Sequence, residues 1–217
     1  MIHHHPDTNI LAEYAAGTLD TAQAIAVRAH LHYCKKCAKI VQEMEQVGGA
    51  MLEELSPQDM PEDSFATLMA AIDNNEPHVS STVPAIQTHS DLPKIINQLM
   101  GGENLRWRKV NKSLKTASLT LGQKNYEVSL QRICAGGTTP EHDHQGTEMT
   151  VVLEGSFSDE NGIYREGDFL LKQPGDIHQP VSAQHQDCLC LSVQEAPVKL
   201  TGLWGKFINP FIRLHPA

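Results

Sequence analysis

His30, Cys34 and Cys37 have the residue types and the spacing of metal ligands. On one helix, His30 lies four residues before Cys34 and Cys37 three residues after it, so the three side chains share a face. Imidazole and thiolate ligands suit Zn²⁺, which takes four ligands in a tetrahedron. The competing interpretation is a redox Cys-x-x-Cys pair, which is less favoured because no strand–helix–strand pattern surrounds it.

A fourth ligand for this site must come from another part of the chain. The nearest supply is the run of three histidines at residues 3–5, just before the first predicted helix. Antiparallel packing of the first two helices would bring that run to the cysteines. The alternative is that the run is part of an affinity tag, although three histidines are short for a tag.

A second candidate site begins in residues 136–155. His142 and His144 alternate and therefore share one face of a strand. Glu148 follows at an even spacing and continues that face unless a turn at residues 145–146 interrupts the strand. His178 supplies a third imidazole from a later strand.

The spacing of Gly136, His142, His144, Glu148 and Gly155 resembles the first cupin motif at every fixed position. The stretch around His178 resembles the second motif with two departures: the Pro-Gly-His spacing is one residue shorter, and Ser182 replaces the closing Asn. Three imidazoles and one carboxylate suit Zn, Mn, Fe or Ni. The alternative is a cupin that has lost its metal.

The elements that must position these residues divide the chain in two. Apolar residues at helical period, with capping residues and glycines at the ends, predict four helices in residues 1–75. Residues 76–94 are polar and contain proline, which indicates a linker. Short alternating segments from about Trp107 onward predict an antiparallel β-barrel of the cupin or jelly-roll type, and we expect this domain to span residues 95–217. An apolar tail ends at residue 217, and we expect it to pack on the barrel.

Five stretches together resemble one family of proteins. "YAAGTL" (14–19), "HLHYCKKC" (30–37) and "VGGAMLEE" (47–54) resemble the zinc-containing anti-sigma factors, and within them the ChrR-type branch. "DCLCL" (187–191) and "NPFIRL" (209–214) extend the resemblance over nearly the whole chain. ChrR-type proteins have the same order of parts, a zinc anti-sigma domain followed by a cupin.

The resemblance implies a ligand set and a function. The fourth zinc ligand would be His5, completing the set with His30, Cys34 and Cys37, and the cupin would bind a second divalent metal, expected to be zinc. The helical domain would bind and inhibit an RNA polymerase sigma factor of the extracytoplasmic-function type. The cupin would be needed for release of the sigma factor under oxidative stress such as singlet oxygen.

The charge distribution agrees with a basic protein partner. The chain has a formal net charge of -9, and residues 1–75 carry eleven acidic and four basic residues, a net charge of -7. Such a domain complements the basic surfaces of a sigma factor. It would repel phosphate, which argues against a zinc-finger DNA-binding protein.

Two further expectations complete the analysis. The alternative function is a metal-dependent cupin enzyme, a dioxygenase or an isomerase, although such an enzyme has no need of the helical domain. The five cysteines do not form a disulfide pattern, and neither a signal peptide nor an apolar run of about 20 residues is present. We therefore expect a cytoplasmic protein.

Overall fold

The computed structural model describes residues 1–74, 92–100, 105–119, 121–122, 125–202 and 209. The predicted linker lies outside these residues except for its last three positions. The predicted C-terminal tail likewise lies outside them, apart from Asn209 and the two residues that follow the last described strand.

Four helices form within residues 1–75, as predicted, and a fifth precedes the strands. They are α1 (Thr8–Ala15), α2 (Thr21–Tyr33), α3 (Lys35–Glu53), α4 (Ser64–Asn74) and α5 (Lys94–Met100). The Asp7 side chain accepts a hydrogen bond from the Ile10 amide and starts α1. At the start of α2, the Gln23 side chain accepts from the Asp20 amide in the manner of a capping box.

The chain does not keep His30, Cys34 and Cys37 on one uninterrupted helix, so that expectation was wrong. Cys34 has extended backbone angles and separates α2 from α3. Its sulfur accepts a hydrogen bond from the Cys37 amide, at 3.4 Å, and so caps the start of α3. Cysteine thus takes the place that Ser or Asp usually occupies at a helix start.

Twelve strands follow the helices in the described part of the chain. They are β1 (Arg108–Lys109), β2 (Leu114–Ser118), β3 (Glu127–Ile133), β4 (His142–Asp143), β5 (Glu148–Glu154), β6 (Ser156–Asp159), β7 (Gly162–Arg165), β8 (Phe169–Lys172), β9 (Ile177–His178), β10 (Val181–Ser182), β11 (Cys188–Gln194) and β12 (Lys199–Leu200).

All paired strands are antiparallel, as predicted, and they form a cupin-like domain of three sheets. The largest has the order β1-β2-β3-β11-β5-β8, and the smaller ones have the orders β10-β6-β7 and β12-β4-β9. The described strands therefore do not close into the single barrel that the sequence predicted. Bends between β4 and β5 and between β8 and β9 leave β4 and β9 only two residues long, so they pair with each other in a separate sheet.

The helical region and the large sheet share one hydrophobic core. Buried residues of α1 and α2, such as Leu11 and Val27, belong to the same cluster as Val151 and Leu191 of the sheet. The alanines of α2 allow this close approach, since Ala22, Ala26 and Ala29 are completely buried. α2 contacts β5 and β11 on one side and α1 and α3 on the other.

Candidate metal centres

The first candidate centre lies where the N-terminal segment meets the junction of α2 and α3. Single ligand atoms of His5, His30, Cys34 and Cys37 lie within 4.8 Å of one another. The Nδ1 atom of His5 is 3.4 Å from the sulfur of Cys34 and 3.4 Å from that of Cys37. Bonds of about 2.0 Å to nitrogen and 2.3 Å to sulfur at tetrahedral angles give a separation of about 3.5 Å, so the spacing fits zinc.

His30 offers this centre one free ring nitrogen. Its Nδ1 atom lies 2.7 Å from the carbonyl oxygen of Gly167, which can only accept, so Nδ1 carries the proton. The Nε2 atom is buried and has no hydrogen-bond partner among the described residues. A buried lone pair without a partner is costly, and a metal ion among these four residues would satisfy it.

In the metal-free chain, His30 and Cys37 of the first centre differ in their readiness to bind a metal. Burial lowers the pKa of His30 to about 4, so its imidazole is neutral at pH 7 and can act as a ligand. Burial, followed by the hydrogen bond with Cys34, raises the pKa of the Cys37 thiol to about 12. A metal must therefore displace a proton from Cys37, which couples binding to proton release.

The structure also separates the remaining nearby histidines from this group. Of residues 3–5, only His5 belongs to the cluster, while His3 is exposed and the His4 ring packs on Tyr164 with centroids 4.6 Å apart. His32 is two residues from His30 on α2, which places it on the opposite side of the helix, and it is exposed.

The second candidate centre lies between β4, β9 and the start of β5. Ligand atoms of His142, His144 and His178 lie within 4.8 Å of one another. In each ring Nδ1 is held by an oxygen: the Pro140 carbonyl at 2.8 Å, the Asp176 carbonyl at 2.7 Å and the Asp159 carboxylate at 3.0 Å, respectively. These partners fix the tautomers and direct the three Nε2 atoms inward.

With the proton on Nδ1, each inward-facing Nε2 atom can only accept a hydrogen bond. Each of them nevertheless faces another acceptor. Nε2 of His178 is 3.1 Å from Nε2 of His142, and Nε2 of His144 is 2.9 Å from Oε2 of Glu148. Such pairs require a cation or a proton between them. Ligand atoms about 2.1 Å from one ion are roughly 3.0–3.4 Å apart at octahedral or tetrahedral angles, so both distances fit a divalent metal.

The interruption at residues 145–146 that the sequence left open is present in the structure. The chain bends between His144 and Glu148, so the two do not share one continuous strand face. Glu148 begins β5 and is held from the neighbouring β11 by the hydroxyl of Ser192, which donates to Oε1 at 2.7 Å. It adjoins the histidine group through His144.

Electrostatics at the second centre favour a bound positive charge. Burial alone would raise the pKa of Glu148, but the hydrogen bond and the charge of His144 outweigh it and lower the pKa to about 2. Burial, followed by the charge of His142, lowers the pKa of His178 to about 4. Without a metal, that positive charge is the proton between His144 and Glu148, since the hydrogen bond with Glu148 raises the pKa of His144 despite its burial. A divalent metal bound by these donors would take the place of that proton.

A cavity of about 510 Å³ opens beside the second centre. His142, Glu148 and His178 lie in its wall, together with apolar side chains such as Phe157 and Leu114. This volume is within the usual range of small-molecule sites.

Sequence reasoning missed the residues that orient the ligands. Asp159 holds His178 and also accepts from Lys172 at 3.2 Å, and Gly167 holds His30 from 137 positions away. Asp168 accepts from the backbone amides of His3 and His4. A turn of the type Gly-Asp gives no sign of such a contact, because the contact depends on how two distant parts of the chain pack.

Comparisons with known proteins agree with the two-part organisation. Residues 9–38 match a family described as a putative zinc-finger, and residues 97–198 match the ChrR cupin-like domain family. Among the described helices, none combines the length and the hydrophobicity that a membrane span requires.

One curated relative and one solved structure are similar over both parts. The anti-sigma-E factor ChrR of Cereibacter sphaeroides is 32% identical over 98% of this chain and 99% of its own. The crystal structure of Rhodobacter sphaeroides SigE in complex with the anti-sigma ChrR gives a TM-score of 0.74 at 30% identity, covering 89% of this chain and 99% of the other. The similarity spans both candidate metal centres, and the chain belongs to the family of ChrR-type anti-sigma factors.

Proposed function

We propose that this chain binds and inhibits an extracytoplasmic-function-type sigma factor through its helical region and releases it under oxidative stress such as singlet oxygen. Residues 1–75 form the sigma-binding domain, residues 76–94 the linker and residues 95–217 the cupin domain. The cupin domain is needed for the response and not for binding. The protein acts in the cytoplasm, where RNA polymerase is.

The observation that carries this proposal is an exposed apolar helix surface formed by α3, α4 and the segment that joins them. It comprises nine side chains that are 41–76% exposed: Val47, Met51, Leu52, Leu55, Met60, Phe65, Leu68, Met69 and Ile72. None of the eleven residues of α4 is buried. Nine exposed large apolar side chains within residues 47–72 indicate a site of protein interaction.

Apolar residues at helical spacing along α3 divide between two roles. The first of them, Ile40 and Met44, pack against the core of the chain. The later ones, Val47 and Met51, belong to the exposed apolar helix surface. The helical region therefore uses one end of α3 for its own packing and leaves the other end for a partner.

The charges around the apolar helix surface indicate a basic partner. Exposed acidic residues flank it on α3, in the segment that joins α3 to α4 and at the ends of α4: Glu53, Glu54, Asp59, Glu62, Asp63 and Asp73. A sigma factor presents basic surfaces for DNA, which complement this rim. The relative from R. sphaeroides was crystallised with SigE, which supports a sigma factor as the partner of this chain.

We further propose that each chain binds two metals. Zinc is held by His5, His30, Cys34 and Cys37, and a divalent metal, in our proposal also zinc, by His142, His144, Glu148 and His178. Zinc in the helical region would supply folding free energy to a small domain. Elemental analysis is expected to give two equivalents for the full chain and one for Cys34→Ser.

The experiment that tests the function is co-purification of this chain with each extracytoplasmic-function-type sigma factor of the same organism. Phe65→Asp combined with Leu68→Asp is expected to abolish the complex, because it places charges in the apolar helix surface. Ile163→Asp is the matched control, since Ile163 is an equally exposed apolar residue on β7. A complex that survives the double substitution, or one lost with the control, contradicts the proposal.

The cavity beside the second centre favours one alternative, a cupin enzyme that acts on a small molecule. The chain would then release a chemically changed product when a metal-loaded sample is incubated with a substrate.

Under our proposal, the combined variant His142→Ala and Glu148→Ala keeps repression and loses induction by singlet oxygen in a reporter strain. Full induction by that variant at normal protein abundance would remove the metal centre from the response.

A further inference from the structure

The turn between β7 and β8 contacts the first candidate metal centre. We call residues 166–168 the β7–β8 turn. The carboxylate of Asp168 accepts from the backbone amides of His3 at 2.8 Å and His4 at 3.1 Å. The amide of Phe169, the first residue of β8, donates to the His4 carbonyl at 3.0 Å. These three hydrogen bonds fix the segment that carries His5.

The same turn also fixes His30. The Gly167 carbonyl accepts from Nδ1 of His30 at 2.7 Å, which leaves Nε2 for the metal. Gly167 has a φ angle of +86°, and a Cβ atom there would lie 2.7 Å from Cβ of Tyr33 and 2.8 Å from Cδ1 of Ile2. The backbone of the turn therefore approaches α2 as closely as only glycine permits.

The β7–β8 turn belongs to the cupin domain, and two further hydrogen bonds hold it there. The second carboxylate oxygen of Asp168 accepts from the Arg165 amide at 2.8 Å, and the Gly167 amide donates to the Val152 carbonyl at 2.9 Å. Asp168 is completely buried. One carboxylate thus joins the strand end of the cupin domain to the N-terminal segment.

We infer that the β7–β8 turn is part of the zinc site formed by His5, His30, Cys34 and Cys37. Docking of the helical region on the cupin domain then stabilises zinc binding, and bound zinc stabilises the docking. Gly167 and Asp168 act as positioning residues that touch no metal themselves. The inference rests on the zinc site proposed above and does not depend on sigma binding.

The expected change in zinc affinity can be taken from other metal sites in which a group that orients a ligand has been removed. Removal of a group that orients a metal-binding histidine typically lowers metal affinity about 10–100-fold. The coupling must be reciprocal, because zinc can favour the docked arrangement only as much as docking favours zinc. Two measurements on the full chain therefore test the two directions.

The first measurement is the rate of zinc transfer from the full-length protein to a chromogenic chelator. Gly167→Ala and Asp168→Ala are expected to release the zinc of the helical region about 10–100-fold faster and to retain the cupin metal. Asp168→Asn keeps one acceptor oxygen and should give an intermediate rate. Glu166→Gln is the matched control, since Glu166 is exposed in the same turn.

The outcomes of this measurement are distinct. Zinc release at the wild-type rate from both Gly167→Ala and Asp168→Ala overturns the inference. Simultaneous loss of the cupin metal also overturns it, because the turn would then be a general part of the cupin structure. A wild-type chain that holds no zinc at the four residues contradicts the proposed zinc site itself, and the inference with it.

The second measurement is hydrogen exchange at the Phe169 amide in the full chain. Its acceptor is the His4 carbonyl, so its protection reports docking directly. Cys37→Ser is expected to speed exchange at Phe169 and to leave the Asp168 amide protected, because that amide donates to Arg165 within the turn. Equal protection of Phe169 with and without zinc would overturn the reciprocal half of the inference.

Discussion

Asp159 determines which ring nitrogen of His178 is available to bind a metal at the second centre. Its buried carboxylate accepts from Nδ1 of His178 and from the ammonium of Lys172. The carboxylate therefore keeps the His178 proton on Nδ1 and leaves Nε2 as a metal ligand. Nothing in the sequence near residue 159 indicates this role, since 19 positions separate the pair.

Removal of Asp159 is expected to weaken the cupin metal site without removing a ligand. Asp159→Ala should lower metal affinity about 10–100-fold, because His178 loses the group that orients it. Isothermal titration with zinc measures the change. Glu160→Gln is the control, because Glu160 is an exposed neighbour, and unchanged affinity in Asp159→Ala would exclude this orienting role.

The two histidines of α2 provide a matched pair for the first centre. His30→Ala is expected to remove zinc and reduce the helical signal in circular dichroism, because the domain draws folding free energy from the metal. His32→Ala should change neither, since His32 is exposed outside the cluster. Equal zinc content in the two variants would show that His30 is not a ligand.

At the scale of elements, α2 is the helix against which both the helical region and the cupin domain pack. Three of its alanines, Ala22, Ala26 and Ala29, are completely buried, and the helix contacts β5 and β11 of the large sheet as well as α1 and α3. Ala26→Leu is expected to lower the free energy of unfolding by about 1–3 kcal/mol through overpacking. Ala71→Leu on the exposed α4 is the control, and equal urea midpoints for the two variants would contradict this packing role.

Periodicity and caps predicted the helices well, but local patterns did not predict every element. The spacing of His142, His144 and Glu148 left open whether a turn interrupts the strand, and the turn is present because β4 pairs with β9 whereas β5 pairs with β11. The spacing of His30, Cys34 and Cys37 predicted one helix, whereas the Cys34 sulfur caps a new one. Both outcomes depend on contacts that the local pattern does not contain.

At the scale of the whole molecule, acid should destabilise the metal-free chain. Burial lowers the pKa of His30 and of His178 to about 4, whereas in the unfolded chain both histidines bind protons near pH 6.5. The unfolded state then holds more protons, so the free energy of unfolding falls as pH drops from about 6.5 to 4. Each histidine contributes a slope of up to about 1.4 kcal/mol per pH unit.

Glu148 and His144 change the free energy of unfolding in two other ranges of pH. The depressed pKa of Glu148, about 2, adds a further loss of stability below its unfolded value of 4.5. The hydrogen bond with Glu148 raises the pKa of His144 despite its burial, and that contribution is lost as pH rises above 6.5. Denaturant unfolding of chelator-treated His178→Gln should show a shallower slope between pH 6.5 and 4, and an unchanged slope would contradict the assignment.

The docking of the two parts could not be predicted from the sequence. A polar stretch between them indicated a linker, yet three hydrogen bonds join the helical region to the cupin domain: His30 with the Gly167 carbonyl, the His3 amide with Asp168, and the Tyr33 hydroxyl with the Leu153 carbonyl. In each of them one partner is a backbone atom, which every residue type has. Patterns of side-chain type do not reveal them.

The lack of buried residues in α4 has a consequence for the amount of protein in the cell. An isolated helix of eleven residues is marginal in water, so α4 without a partner opens readily and offers proteases an apolar target. A bound sigma factor would cover it. The inhibitor is therefore expected to be degraded quickly when it is made in excess and to persist when paired, so that its abundance follows that of the sigma factor. Pulse-chase measurement with and without the sigma gene should show this difference in lifetime, and Phe65→Asp with Leu68→Asp should remove it.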